Sequence, residues 1–241
     1  MTEIIKKELY DGEVKIDFYP NSHRYKLNGE YLIGVTTALG MIAKPMLIPW
    51  ASKMAVNHIR ECITLGVELT EETLNDAKNA HRKRKEDAGA SGSLVHEWAE
   101  RYIKTGDKTL PEDQNVLNGV LAFLKWVNAH KVKFISSERI VYSKEHGFVG
   151  TMDAEAEVNG EICVIDFKTS SGIYPEMELQ TAAYQKAAEE EGSKYTGDRW
   201  IARFDKETGE FEAQQFGSLE ESYQAFLSAL SLKRWEKSLK K

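Results

Sequence analysis

The stretch Gly150–Tyr184, GTMDAEAEVNGEICVIDFKTSSGIYPEMELQTAAY, decides the fold. Two runs with strand-like alternation flank Asn159-Gly160, the dipeptide most favourable to a two-residue hairpin turn because both central positions accept positive φ. That turn sets Val158 against Glu161. Counting back along the antiparallel pair sets Asp153 opposite Asp166, with Lys168 two residues further on the same face. Opposed residues have Cβ atoms about 4.5–5.5 Å apart, and like charges so placed destabilise a sheet unless something neutralises them. A divalent cation would do so. The other face of the hairpin is expected to carry Met152, Ala154, Ala156 and Val158 against Cys163, Ile165 and Phe167 as an apolar surface for packing, which leaves the acids on a face not primarily for packing.

Gly150-Thr151-Met152-Asp153, then Asp166-Phe167-Lys168-Thr169, then Gln180 with Tyr184, resemble the core motifs of the PD-(D/E)XK nucleases, and most closely the RecB-like exonuclease branch. D-x-K alone arises by chance in many sequences, but the three elements in this order and spacing are specific. The resemblance implies that Asp153 and Asp166, with the backbone carbonyl of Phe167, bind one or two Mg²⁺ or Mn²⁺ ions. It implies further that Lys168 positions or activates the attacking water and that Gln180 and Tyr184 complete the site. Gly92-Ser93-Leu94-Val95-His96-Glu97 resembles the G-x-x-x-H motif of the same branch and implies His96 as a metal ligand. His23-x-Tyr25, then Gly34-Val35-Thr36-Thr37-x-Leu39, then Lys44-Pro45 and Trp50 are similar to the N-terminal part of phage and mitochondrial-type members. Taken without the resemblance, Asp153 and Asp166 could be solvated strand acids, Lys168 an exposed strand lysine, His23 a structural surface histidine and His96 a hydrogen-bonded structural one.

The bulk composition bounds the possibilities. At 241 residues, with 41% hydrophobic and 29% charged residues, one domain with an elaboration is expected. No apolar run is long enough to cross a bilayer, and MTEIIKKELYDGE lacks the apolar centre of a signal peptide, so the expected setting is the cytoplasm, that of the host if the chain is phage-encoded. Cys62 and Cys163 read as free thiols. Two cysteines cannot supply the four-cysteine iron–sulfur cluster that some RecB-like relatives carry. The net charge of −6 argues against a broadly basic surface for nucleic acid but leaves room for a local basic groove.

Along the chain, alternation from Val14 to Ile33 around Asn28-Gly29 predicts an N-terminal hairpin within 1–35. A short helix capped by Thr36 or Thr37 follows, then a helix with Pro49 in its first turn and a stripe of Trp50, Met54 and His58 or Ile59. A further helix is expected from Glu71 to Ala88, capped by Thr70 and ending in Arg82-Lys83-Arg84-Lys85, then a flexible joint at Gly89–Gly92 and a new helix bearing His96. The basic run is either a solvated helix face or a guide for DNA phosphates. Another amphipathic helix spans Leu117 to Val127, and Phe134 to Tyr142 reads as a strand containing Glu138, either an exposed residue or an auxiliary acid. Glu97 and Glu100 have no role that the spacing selects. Strands are expected at Arg199–Phe204 and Gly209–Phe216, and Ser218 caps a terminal helix.

The expected fold is α/β: the central mixed β-sheet of a PD-(D/E)XK core at 131–216 flanked by helices, an N-terminal hairpin, a helical arch or wall at 36–130 and a C-terminal helix at 217–241. The expected activity is a metal-dependent DNA exonuclease acting on linear DNA, single- or double-stranded, with a recombination or single-strand-binding protein as a possible partner. A structure-specific or restriction-like endonuclease and a non-catalytic DNA-binding accessory subunit are the alternatives.

Overall fold

The computed structural model describes residues 4–239. The chain separates into two compact units, Met1–Ile42 with Val95–Lys241, and Ala43–Leu94.

The larger unit is α/β. Four strands, β1 (Ile5–Leu9), β2 (Val14–Tyr19), β3 (Arg24–Leu27) and β4 (Glu30–Tyr31), form a small antiparallel sheet in sequence order. Asn28-Gly29 turns β3 into β4, with φ of 51° and 84°. The predicted hairpin therefore exists, and β1 extends it. After β5 (Ile33–Gly34), helix α1 (Val35–Leu39) begins from Gly34 rather than from a threonine cap.

The smaller unit holds helix α2 (Leu47–Thr64) and the first part of α3 (Glu71–Thr105). Within it, the Trp50, Met54 and Ile59 stripe is half-buried and Cys62 is buried. The Thr70 hydroxyl accepts from Thr73 N at 3.3 Å, capping α3 as expected. The joint predicted at Gly89–Gly92 is absent: α3 is one helix of 35 residues. Each glycine costs a helix about 1 kcal/mol relative to alanine, too little to stop propagation between two helix-forming segments when every added residue closes another hydrogen bond.

The second part of α3 and helix α4 (Gln114–Ala129) precede the main sheet, which consists of β6 (Lys133–Ser143), β7 (Phe148–Val158), β8 (Glu161–Lys168), β9 (Arg199–Phe204) and β10 (Phe211–Phe216), with β5. Helix α5 (Pro175–Glu190) links β8 to β9, and α6 (Leu219–Ser238) follows β10; Ser218 stands at its N-cap without a side-chain capping bond. The sheet is mixed: β5–β7 and β8–β9 are parallel and the other pairs antiparallel. One apolar cluster joins Val95, Trp98, Val120, Phe123 and Trp126 to Ala154, Ile165, Phe167 and Phe204. A second joins Val35, Phe148, Met152 and Val164 to Ala183 and Ala187 of α5 and Phe226 and Leu230 of α6. Both faces of the sheet are covered.

The Asn159-Gly160 turn has φ of 53° and 96°, and the ladder runs from Val158–Glu161 to Ala154–Ile165, as the sequence requires. Two features of the hairpin differ from expectation. Met152 does not share a face with Ala154: it packs in the second cluster and Ala154 in the first. The alternation reverses at Asp153, where the facing strand β6 places Glu138 at φ 52°. The acids also do not lie on an open face, because Val164, Ile165, Asp166 and Phe167 are all buried.

Candidate metal centre and catalytic residues

The site forms where β7 changes partners. Along one edge β7 pairs with β6; along the other it pairs with β5 at Phe148 and Val149, and with β8 only from Ala154 onward. Residues 150–153 lie in the interval between. Asp153 and Asp166 are the next positions after the last pair of the β7–β8 ladder, and there the Phe167 N–H donates to Asp153 Oδ2 at 2.7 Å instead of to a strand carbonyl.

His96 of α3, Glu138 of β6 and Asp153 each offer one donor atom, and these atoms all lie within 4.8 Å of one another. His96 Nδ1 is 3.8 Å from Asp153 Oδ2. Glu138 occupies the left-handed region, which costs a non-glycine residue about 1–3 kcal/mol and collects at functional positions. Sequence reasoning left its role open, and the signal that places it, a positive φ beside Asp153, is conformational.

Asp166 lies beside this trio. It is inaccessible to solvent, and its Oδ2 is ion-paired with the Lys168 ammonium, while Oδ1 makes no hydrogen bond. Glu155, two residues along β7 from Asp153, is buried in the opposite manner: it accepts from Ser136 at 2.6 Å and from Arg139 at 2.8 Å, and Tyr195 also donates to it. A fully satisfied acid and one with an unpartnered oxygen therefore stand in the same hairpin. Buried polar atoms are normally paired, so Asp166 Oδ1 retains lone pairs able to meet an electrophile.

The electrostatics agree. Burial, then the Asp153 and Glu100 carboxylates, push Glu138 up to about 8. Burial raises Asp153 against the pull of Lys168, and raises Asp166 to about 6. Burial opposes the charge on Lys168, but Asp166 and Asp153 more than offset it and hold its pKa above the usual value. Burial and the Lys168 charge push His96 down to about 4, so at neutral pH its imidazole is uncharged and has a lone pair to donate.

Tyr184 of α5 is buried, and its phenol is raised well above its ordinary value by burial and by the nearby acids. Gln180 Nε2 donates to its hydroxyl at 2.9 Å. Its ring lies so close to β7 that a Cβ on Gly150 would come within 2.4 Å of Tyr184 Cε1; the glycine of the G-T-x-D run is there for this approach. On the next residue, Thr151 Oγ1 lies 2.6 Å from Tyr25 Oη, tying β7 to the N-terminal sheet.

The donor set fits a hard divalent cation. Carboxylate oxygens with one imidazole suit Mg²⁺ and Mn²⁺, and donors about 2.1 Å from one octahedral ion lie about 3–4 Å apart, the separation already present between His96 and Asp153. Arg82, Lys83, Arg84 and Lys85 are exposed on the part of α3 within the smaller unit. Glu100 is engaged with Lys104. Both cysteines are buried and free. Among the described residues, no helix is long and apolar enough to cross a membrane. Neither protein-family models nor curated protein sequences match the chain.

Proposed function

We propose that the protein is a metal-dependent deoxyribonuclease of the PD-(D/E)XK type, hydrolysing phosphodiester bonds from DNA ends. The observation that carries this reading is the convergence of His96, Glu138 and Asp153 next to a buried Asp166–Lys168 pair in which Asp166 Oδ1 has no hydrogen-bond partner. Asp153, Asp166, His96 and Glu138 would hold Mg²⁺ or Mn²⁺. When bound, such an ion polarises a phosphoryl oxygen and lowers the pKa of water.

The chain's own groups do the rest. Lys168, held charged by two carboxylates, donates hydrogen bonds that orient the attacking water and balance charge growing on the phosphate. Neutral His96 supplies a lone pair without competing for a proton at pH 7. Tyr184 stays protonated and, fixed by Gln180, presents a donor beside the acids. End-dependence rests on the resemblance to RecB-like exonucleases. The test is incubation of linear and closed circular DNA with Mg²⁺ or Mn²⁺: loss of the linear form alone is the expected result, nicking of circles would make the protein an endonuclease, and cleavage of neither would overturn the reading.

A further inference from the structure

The acidic chain carries a basic, aromatic surface that the site chemistry does not use. In the N-terminal sheet, Tyr19 pairs with Arg24, and Lys26 pairs with both Asp17 and Tyr31, so alternation places these five side chains on one face. The opposite face carries Ile16, Phe18, Tyr25 and Leu27, which pack against Ile140, Tyr142 and Val149. On the outer face, Lys26 Nζ lies 4.5 Å from the Tyr31 ring centre and 5.5 Å from that of Tyr19, and the Arg24 guanidinium lies 5.5 Å from Tyr31. The two rings are 6.3 Å apart, Tyr31 is 47% exposed, and Lys237 of α6 donates to the Tyr31 carbonyl at 3.3 Å. The acids of this face are Glu8, ion-paired with Lys15 at 3.0 Å, and Asp17, which faces Lys6; Arg24 and Lys26, with Lys237 alongside, stand beyond those pairs.

An open sheet face with aromatic rings and interleaved cations has the chemistry that takes single-stranded nucleic acid, in which unpaired bases stack on rings and phosphates meet lysine and arginine. A duplex hides its base faces and cannot stack. The surface also leads to the candidate site. Arg24 lines a cleft with Thr36, Thr37, Thr151 and Tyr184, and Thr151 lies two residues before Asp153 on β7. We infer that the outer face of the N-terminal sheet, through Tyr19, Arg24, Lys26 and Tyr31, binds single-stranded DNA and delivers the strand by way of the Arg24 cleft to the metal centre.

The delivery step rests on the nuclease reading; the binding does not, and the experiment separates them. Anisotropy of labelled oligo(dT), and of a duplex of equal length, is measured with EDTA present so that no cleavage occurs. Tyr31→Ala should weaken oligo(dT) binding about tenfold, the scale of losing one base stack, while Tyr31→Phe retains the parent's affinity. Arg24→Gln should lower the salt slope by about 0.7, one single-strand phosphate contact. Duplex binding should change little in all three. Parent-like oligo(dT) binding by Tyr31→Ala would overturn the inference, as would equal losses on single strand and duplex. If the parent cleaves no DNA with Mg²⁺ or Mn²⁺ but the binding pattern holds, the nuclease reading falls and the platform stands.

Discussion

Replacing Asp166 by Asn should make the metal-free protein more stable at pH 8 while abolishing cleavage. Its carboxyl is raised from 3.8 to about 6, mainly by burial. At 1.36 kcal/mol per unit, those two units amount to about 3 kcal/mol against the ionised form in the folded state. Because the folded pKa lies above the unfolded one, this contribution to stability is fully present below 3.8 and is lost as pH rises through about 6. An amide stays neutral throughout and escapes the loss, but its buried N–H lacks a partner where Asp166 Oδ1 already has none, and the weaker contact to Lys168 adds to this, which takes back about 1–2 kcal/mol. The net should be a gain of about 1–2 kcal/mol at pH 8 and a loss of about 1 kcal/mol at pH 4, where almost no ionisation loss is left to escape. Lys168→Met should do the reverse, losing about 3–5 kcal/mol at pH 8, because it strips the counter-charge from two buried acids. Urea unfolding in EDTA at both pH values measures each. If Asp166→Asn is destabilised at pH 8 as much as Lys168→Met, the ion pair is a structural tie and the reasoning fails.

Two further outcomes follow from the site's geometry. Glu138, pushed up to about 8, must give up its proton to act as a ligand, so Mn²⁺ affinity by titration calorimetry should climb between pH 6.5 and 8, by up to tenfold per unit, and Glu138→Gln should flatten that climb. Gly150→Ala should cost about 1–3 kcal/mol by forcing the Tyr184 ring from β7, seen as a lower Tm and restored in part by adding Tyr184→Ala.

The hairpin was legible because its determinants are local. Asn159-Gly160 admits few turns, and a two-residue turn leaves one register, so the opposition of Asp153 and Asp166 follows from counting. Reversal of the pleat at Asp153 was not legible, because it depends on Glu138 adopting φ 52° on a strand distant in sequence. For the same reason a glutamate turned toward the candidate site and an exposed one look alike in Phe134–Tyr142. Gly89 and Gly92 misled because a glycine marks a helix end only when nothing carries the helix onward. The first strand was not legible although Asp11-Gly12 follows it; three of its five positions, Lys6, Lys7 and Glu8, are charged in succession and blur the alternation.

The same dipeptide that sets the register is also a clock. Asn-Gly is the sequence most prone to losing its side-chain amide, because glycine leaves the next backbone nitrogen free to attack it, and the product inserts an extra carbon into the main chain. Asn159 and Gly160 are exposed at the tip of β7–β8. Ageing there lengthens the turn by one backbone atom, and every step of the ladder down to the two aspartates inherits the error. A stored preparation would lose competence with the residues of the candidate site chemically untouched, at a position remote from them.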